Sequence, residues 1–356
     1  MARDGVDALL LSVGPDLPWL IGYEAMPLER LTMLVLERDG AATLVVPRLE
    51  RPRVIERPDA FSVRAWDETD DPMAIVAELL GGAATAAIGD RTWGRFVLEV
   101  QRARPDVALR SATSITGPLR AVKDDAEIAA LARAGAAIDR VAVALQHGEI
   151  PLIGRTEAEV SAELSRRILA EGHHRVNFAI VAAGEDSASP HHEPGSRVIG
   201  PGEVVLCDFG GTMADDHGVG YCSDITRCVV TGSATDEQRE VWDVLQRAQA
   251  LGVAAGAAGV SCERVDVVTR EPIAAAGYGD AFVHRTGHGI GVEEHEDPYI
   301  VAGNDEPLVV GNAYSVEPGI YLDGRWGFRL EDIVVVTPDG PRPLTVSDHA
   351  LVEVEV

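Results

Sequence analysis

The same order of predicted helices and strands occurs twice between residues 124 and 337, and it constrains the fold of this chain more than any other feature. Each round begins with two amphipathic helices that open at capping residues, and these N-caps are Asp124 and Thr156, then Thr235 and Ser261. Alternating or apolar strands follow each helix pair, over 176–180, 204–209 and 225–231, then over 282–284, 313–321 and 328–337. Two such rounds predict an internally duplicated α+β domain, although no residue-level repeat accompanies them.

A smaller α/β domain is predicted ahead of the duplicated one. Short apolar runs indicate three of its strands, over 8–13, 31–37 and 42–47. Asp39-Gly40 predicts the turn of a hairpin between the last two of them. Gly117-Pro118 is the predicted boundary, so we expect one domain over residues 1–118 and a second over 119–356.

Composition excludes several classes of protein. The chain has 57 acidic and 31 basic residues, a net charge of −26, which disfavours nucleic-acid binding because phosphate contacts need clustered Lys and Arg. No apolar run reaches the roughly 18 residues of a membrane span, and the first residues lack the layout of a signal peptide. Four cysteines are too few and too irregular for a disulfide scaffold or a thiolate zinc site. We therefore expect a cytoplasmic protein.

Acidic residues stand in otherwise apolar surroundings on two predicted strand pairs. Asp208 ends one strand and Asp224 begins the next, and Glu317 and Glu331 repeat this arrangement later in the chain. Adjacent anions in an apolar setting are costly unless a cation neutralises them. His288 lies in the sequence Gly-His-Gly-Ile-Gly. Its glycine neighbours leave the imidazole enough room to reach a ligand. This donor set suits two divalent ions such as Mn²⁺, Co²⁺ or Zn²⁺.

Each of these residues has a simpler interpretation when it is taken singly. Asp208 and Glu317 precede glycine-containing turns, Asp224 is compatible with a turn cap, and Glu331 with an ion pair to Arg329. The interpretation as metal ligands depends on five motifs that occur together. In chain order, they are Asp-Phe-Gly, Ser-Asp-Ile-Thr-Arg, Gly-His-Gly-Ile-Gly, Glu-Pro-Gly-Ile-Tyr and Arg-Leu-Glu-Asp.

In this combination of motifs the chain resembles the pita-bread-fold metallopeptidases, in particular the Xaa-Pro peptidases (prolidase and aminopeptidase P) and creatinase. The resemblance covers essentially the whole chain. It implies an α+β fold, in which a duplicated pita-bread catalytic domain follows a smaller creatinase-like α/β domain. It also implies two divalent metal ions, Mn²⁺ being the expected one, whose ligands are Asp208, Asp224, His288, Glu317 and Glu331.

Three histidines and one arginine near these ligands also match the family pattern. His191 lies 17 positions before the first aspartate ligand. His284 lies four positions before the histidine ligand, and His295 lies seven after it. Arg329 lies two positions before the last glutamate ligand.

The reaction that the resemblance implies is hydrolysis, with the metal ions activating a water. Glu317 would shuttle a proton, while His295 and His284 would donate hydrogen bonds to the developing oxyanion and to the substrate backbone. His191 would lie near the scissile bond, although its neighbour His192 competes for this role. The implied catalytic residues are His191, His284, His295 and Glu317. The residues implied to bind the substrate are His191, His284 and Arg329.

One departure from the family pattern lies between the two aspartates, which are 16 positions apart instead of the usual shorter spacing. We expect the extra residues, around 214–218, to form a polar hairpin tip that faces solvent. Asp215 and Asp216 are alternative carboxylates in this stretch. Asp224 is preferred as the ligand because its Asp-Ile-Thr-Arg sequence fits the motif and opens an apolar strand.

We expect a dinuclear metallopeptidase that hydrolyses the Xaa-Pro bond at the N terminus of short peptides, as either an aminopeptidase or a dipeptidase. A methionine aminopeptidase shares the five ligands, but the leading domain argues against it. A creatinase-like amidinohydrolase does not need the metal ions, and a non-catalytic binding protein would have lost them, so the intact ligand set disfavours both. A metal-dependent hydrolase of a small non-peptide amide stays open as an alternative.

We also expect a homodimer in which the leading domain of one subunit approaches the active-site cleft of the other. Residues 1–118 carry no catalytic residue, and they contain the aromatic segment 18–23, Pro-Trp-Leu-Ile-Gly-Tyr. Packing of this segment inside its own domain is the simpler explanation. Related Xaa-Pro peptidases use such a domain for dimer contacts, so the resemblance favours the dimer.

Overall fold

The computed structural model describes residues 1–354, which divide into two compact units. The first contains residues 1–120 and 216–220, and the second contains residues 121–215 and the chain from 221 onward. The predicted boundary, Gly117-Pro118, lies inside a helix rather than in a linker. Thr116 and Arg120 of this helix both bond to the Asp16 carboxylate, at 3.1 and 3.0 Å, which holds the helix to the first unit.

The first unit is built on a six-stranded mixed sheet. Its strands are β1 (Ala8–Leu11), β2 (Met33–Glu37), β3 (Ala42–Pro47), β4 (Ser62–Trp66), β5 (Thr85–Ile88) and β6 (Ala108–Ser111). Their order is β4-β3-β2-β1-β5-β6, with β2 antiparallel to both of its neighbours and the other pairs parallel. The predicted hairpin is confirmed, since β2 and β3 pair around Asp39-Gly40.

Helices cover both faces of this sheet. They are α1 (Asp16–Ile21), α2 (Pro72–Leu79), α3 (Gly94–Ala103) and α4 (Thr113–Ala121), with a 3₁₀ turn at Arg51–Arg53. Alternation along β1 sends Leu9 and Leu11 into one apolar cluster, and Ala8 and Leu10 into another.

The aromatic segment 18–23 packs inside the first unit. It forms the end of α1, and its Ile21 and Tyr23 side chains are 7% and 4% exposed. Both belong to the same apolar cluster as Leu9. The simpler explanation for this segment is therefore sufficient.

The second unit contains the four long helices that the capping patterns predict. They are α5 (Asp125–Gln146), α6 (Glu157–Ala170), α7 (Asp236–Ala255) and α8 (Cys262–Ala275). Complete capping boxes form at Asp124, Thr156 and Thr235, and the Ser261 hydroxyl accepts the Arg264 N–H. In the described part of the chain, no helix combines the length and apolarity that a membrane crossing requires.

Each helix pair is followed by its own strands, as the duplication predicts. The first round contributes β7 (Arg175–Ala183), β8 (Val204–Ala214) and β9 (Gly220–Thr231). The second contributes β10 (Gly287–Gly289), β11 (Glu296–Ile300), β12 (Ala313–Val316), β13 (Gly319–Leu322), β14 (Trp326–Arg329), β15 (Asp332–Thr337), β16 (Gly340–Pro343) and β17 (Val352–Val354). The sheet orders are β17-β9-β8-β7 and β11-β10-β12-β15-β16, and β13 pairs with β14. The predicted α+β class is confirmed.

Three predicted strands of the second round are wrong in detail. Residues 282–284 are irregular, because the Arg270 guanidinium binds the carbonyls of Phe282 and His284 and takes the place of a neighbouring strand. The predicted strands 313–321 and 328–337 are each two strands. Pairing of β12 with β15 ends at Val316 and Asp332, and pairing of β13 with β14 begins at Gly319 and Arg329. Both strand breaks therefore lie between the end of the β12–β15 pair and the start of the β13–β14 pair.

The long connection between β8 and β9 is a polar hairpin tip, as expected. Asp216, His217 and Gly218 are exposed, and Asp215 is half-buried.

Candidate metal centre

One cavity of about 400 Å³ is lined by all nine residues to which the sequence assigns a role. They are His191, Asp208, Asp224, His284, His288, His295, Glu317, Arg329 and Glu331. The remaining lining residues are Phe178, Ile180, Pro190, Arg285 and Glu294. Side chains from both rounds of the duplicated domain thus meet in one place.

The secondary structure explains why the five candidate ligands converge. Asp208 and Asp224 lie on the adjacent strands β8 and β9, and His288 is the middle residue of β10. Glu317 and Glu331 lie in the strand breaks described above, where neither side chain is confined to the face of a continuous sheet. Both glutamates line the cavity from these irregular positions.

The candidate ligands approach one another closely. The His288 Nε2 atom lies 3.2 Å from Glu317 Oε1 and 3.7 Å from Asp224 Oδ2. Ligand atoms of Asp224, His288 and Glu331 all lie within 4.8 Å of one another. His288 Nδ1 lies 3.1 Å from the Gly289 carbonyl, which can only accept, so Nδ1 keeps its proton and Nε2 is the nitrogen that would bind a metal ion after losing its own proton.

The glycines that flank His288 serve the packing of the sheet. A Cβ atom at Gly287 would collide with the Ser315 carbonyl, and one at Gly289 would collide with the Asp297 carbonyl. Close approach of the neighbouring backbone, rather than room for the imidazole, is therefore the physical reason for this Gly-His-Gly sequence.

The pKa values of the cavity carboxylates shift in different directions, although burial raises each of them. Burial, reinforced by neighbouring carboxylates, raises the pKa of Asp224 and of Glu331 well above the usual range. Burial also raises the pKa of Asp208, although the charge of Arg329 acts against it. For Glu317, burial raises the pKa, but the hydrogen bond and charge of His288 outweigh it and bring the pKa to about 2.

Hydrogen bonds satisfy some, but not all, of the carboxylate oxygens in the cavity. The Thr226 hydroxyl donates to Glu331 Oε2 at 2.8 Å, and Arg329 Nη2 donates to Asp208 Oδ2 at 2.6 Å. Asp208 Oδ1 is buried and has no hydrogen-bond partner in the described structure. An unpartnered buried carboxylate oxygen is costly, and a divalent ion bound by oxygen and imidazole donors removes that cost. The donor set therefore fits divalent metal ions.

His284 is held by the protein on both sides of its ring. Nδ1 donates to the Arg285 carbonyl at 2.8 Å, so Nε2 accepts the Tyr321 hydroxyl proton at 2.9 Å. Arg329 Nη1 in turn donates to the Tyr321 oxygen at 2.7 Å. Burial lowers the pKa of His284. The neutral ring is thus oriented by a chain from Arg329 through Tyr321.

The two adjacent histidines of the first round differ clearly. His191 lines the cavity, whereas His192 Nε2 donates to the Glu157 carboxylate at 2.7 Å. His191 is therefore the one of the pair that faces the candidate metal ligands.

Sequence reasoning did not assign Tyr321 or Thr226. Both stand inside motifs that were recognised, Tyr321 at the end of Glu-Pro-Gly-Ile-Tyr and Thr226 two residues after Asp224. Their position in those motifs was the available signal.

Comparison with known proteins agrees with this arrangement. Residues 127–338 match the model of metallopeptidase family M24, and residues 1–122 match the creatinase/prolidase N-terminal domain. The chain belongs to metallopeptidase family M24. Membership of M24 confirms the resemblance inferred from the motifs and the expected class of enzyme, a peptidase hydrolase.

Relatives in the M24 family are similar along nearly the whole chain. A probable dipeptidase PepE of Mycobacterium bovis is 44% identical over 100% of this chain and 94% of its own length. An Xaa-Pro dipeptidase of Lactobacillus helveticus is 34% identical over 97% and 94%. The crystal structure of a prolidase from Thermococcus sibiricus is 33% identical, with a TM-score of 0.91 over 100% of this chain and 96% of that one.

Proposed function

We propose that this M24 chain is an Xaa-Pro dipeptidase that binds two divalent metal ions, Mn²⁺ being the expected metal. The ligands would be Asp208, Asp224, His288, Glu317 and Glu331. The observation that carries the proposal is that these five donors share a cavity with Arg285, a cation suited to the free carboxylate of a dipeptide. Relatives described as dipeptidases support the same conclusion.

Metal ions bound here would lower the pKa of a water molecule and polarise the scissile carbonyl. Glu317, which lines the cavity among the candidate ligands, would accept the proton that attack on the carbonyl releases. Glu317 would then pass this proton to the leaving nitrogen. His295 would donate a hydrogen bond to the oxygen on which negative charge develops.

The chain from Arg329 through Tyr321 to His284 would fix one wall of the substrate site. Both nitrogens of His284 are engaged by protein groups, so its expected hydrogen bond to the substrate requires that Tyr321 or the Arg285 carbonyl give way. His191, on the opposite round, would contact the substrate near the scissile bond.

Arg285 supports a dipeptide rather than a longer peptide as substrate. Its guanidinium lies 4.5 Å from the centre of the Tyr299 ring, and no carboxylate within the described residues forms an ion pair with it. A dipeptide places its free carboxylate one residue beyond the scissile bond, inside the cavity, where it needs a cation. In a longer peptide the same position is a neutral amide.

The test compares Ala-Pro, its carboxamide Ala-Pro-NH₂ and the tripeptide Ala-Pro-Gly with Mn²⁺ supplied. We expect the wild-type enzyme to prefer Ala-Pro, and Arg285→Leu to raise the KM for Ala-Pro about tenfold or more while leaving the carboxamide unaffected, as expected for a lost charge-assisted contact. Arg264→Leu, an exposed residue on α8, is the matched control. Equal kcat/KM values for the dipeptide and the tripeptide would favour an aminopeptidase instead.

We further propose a cytoplasmic homodimer. The first unit exposes the apolar side chains of Leu49 and Ile55, which are 54% and 64% accessible. Exposed apolar side chains on a domain without catalytic residues are consistent with a contact between subunits.

A further inference from the structure

We propose that Glu157 is a positioning residue, which acts through His192 to hold the His191 imidazole in the active-site cavity. The inference rests on the proposed function insofar as His191 contacts the substrate. The observations that carry it lie outside the set of candidate metal ligands.

Glu157 is the first residue of α6, and its side chain is completely buried. Its carboxylate accepts three hydrogen bonds: Oε1 accepts the Ala183 N–H at 2.8 Å, and Oε2 accepts the Gly195 N–H at 3.1 Å and His192 Nε2–H at 2.7 Å. One buried carboxylate thus ties the end of β7 to two points of the connection that follows. We call these four residues the Glu157 clamp.

The backbone at the start of α6 binds the same connection. The Glu157 N–H donates to the Arg197 carbonyl and the Ala158 N–H to the Gly195 carbonyl, each at 3.0 Å. Thr156 also forms an isolated bridge with Val198. The helix terminus is therefore fixed relative to the segment that carries His191.

His191 lies between two anchored neighbours. The Pro190 carbonyl accepts a hydrogen bond from Arg329 Nη1 at 3.3 Å, and His192 is bound by Glu157. The imidazole of His191 lines the cavity, and within the described residues no hydrogen bond to its ring orients it. Its placement thus depends on the anchors on either side.

Apolar packing contributes little to this placement. Between residues 184 and 196, Ser187 is the one residue that is buried, and after the 3₁₀ helix at Gly184–Ala188 the segment has no helix or strand. The Glu157 clamp therefore supplies much of the restraint that a regular element would otherwise provide.

A cation site is the alternative explanation for this cluster, since donor atoms of Glu157, Asp186 and His192 lie within 4.8 Å of one another. Both Glu157 oxygens already accept hydrogen bonds, and Arg197 faces Asp186 with Nε 3.8 Å from Oδ2. The carboxylates of this cluster are therefore already paired with donors and cations of the protein itself, which favours the clamp over a cation site.

The test is a double-mutant cycle between His192 and His191, read with Ala-Pro as substrate. We expect His192→Gln to lower kcat about tenfold or more, because small displacements of a positioned group are costly to catalysis. In a His191→Ala background the same substitution should change kcat little, because the residue it positions is gone. Glu157→Asp, which keeps the carboxylate, should retain more activity than Glu157→Gln. Glu163→Gln, on the same helix, is the matched control.

Hydrogen–deuterium exchange supplies a readout that does not depend on activity. Exchange of residues 184–196 should accelerate in His192→Gln and Glu157→Gln, while the Glu163→Gln control and the metal content stay at wild-type values. Additive losses of kcat in the two backgrounds, or unchanged exchange in this segment, would overturn the proposal. Absence of wild-type activity on any Xaa-Pro peptide would instead refute the proposed function and leave the exchange result to judge the clamp.

Discussion

The imidazole ring of His295 packs against that of His288, with ring centroids 4.0 Å apart and a tilt of 51° between the planes. Burial, together with the nearby charge of His288, lowers the pKa of His295 to about 4. His295 is therefore neutral at pH 7 and carries one N–H. A neutral donor beside a candidate metal ligand is suited to an oxygen that becomes negative during the reaction.

We accordingly predict that His295→Ala retains the metal ions and loses transition-state stabilisation. The expected fall in kcat is about 100- to 1,000-fold, the typical cost of one oxyanion donor. Metal content by mass spectrometry and kcat on Ala-Pro give the two readouts, and His147→Ala, an exposed residue after α5, serves as the control. Loss of metal in proportion to activity would show that His295 acts as a ligand instead.

The segment that carries His284 is held in the second round by a buried carboxylate, as the segment of His191 is held in the first. Asp266 accepts the Thr286 hydroxyl at 2.7 Å and Arg270 Nε at 2.8 Å. Arg270 also binds the carbonyls of Phe282 and His284. We predict that Arg270→Lys lowers the free energy of unfolding by about 1–3 kcal/mol, because a single ammonium cannot replace these bonds and leaves buried acceptors unpaired.

Urea denaturation checks this prediction, with Arg264→Lys as a control on the exposed face of the same helix. The variant should also show a lower kcat, because the backbone on either side of His284 loses its donors. Wild-type stability together with wild-type kcat would contradict the role given to Arg270.

Local signals in the sequence predicted the helices well. The capping boxes at Asp124, Thr156 and Thr235 form because their donors and acceptors lie three residues apart, so the pattern is complete in the sequence itself. The motifs likewise identified nine of the residues that line the cavity, through their resemblance to a known family, but not Arg285 or Glu294.

Bonds between distant side chains and backbone left no comparable signal. Glu157 contacts residues 26 to 38 positions away, and no periodicity marks such a contact. The sequence predicts a strand in the segment before Thr286, but the segment is irregular. Its hydrogen bonds come from Arg270, which lies on a helix, and no local pattern in the sequence indicates such a contact. The breaks at Glu317 and Glu331 depend on which strands pair, and this is a property of the tertiary structure.

His173 is expected to make the stability of the protein depend on pH. Its ring is 3% exposed, and burial lowers its pKa below the ordinary value of 6.5. The unfolded chain therefore binds a proton more readily than the folded one, so the stability from this residue is present above pH 6.5 and is lost as the pH falls below it.

We predict that the free energy of unfolding falls less steeply in His173→Gln than in the wild type between pH 7.5 and 5.5. The difference in slope is limited to about 1.4 kcal/mol per pH unit, the value for one proton. Urea titrations at both pH values measure it, and contributions from other histidines cancel in the comparison. Parallel profiles for the two proteins would argue against this assignment.

Oligomeric state provides a prediction that is independent of the chemistry. Light scattering should give twice the chain mass of 37.8 kDa at micromolar concentration, and the interface should bury more than about 1,000 Å². Ile55→Glu is expected to shift the protein toward the monomer if exposed apolar residues of the first unit form the contact. Leu169→Glu on α6, at 49% exposure in the second unit, is the comparison variant. A monomeric wild type would end this proposal and leave the metal chemistry untouched.

Metal dependence distinguishes the proposed ligand Asp224 from the carboxylates of the hairpin tip. EDTA should abolish hydrolysis of Ala-Pro, and Mn²⁺ or Co²⁺ should restore it. Asp224→Asn should lower metal content and activity together, because Asp224 is 4% exposed and its Oδ2 lies 3.7 Å from His288 Nε2. Asp216→Asn removes one negative charge at an exposed position of the tip and should leave both quantities at wild-type values. If Asp216→Asn loses metal while Asp224→Asn keeps it, the assignment of Asp224 as the second aspartate ligand is wrong. Full activity of a verified metal-free sample would refute metal-dependent hydrolysis altogether.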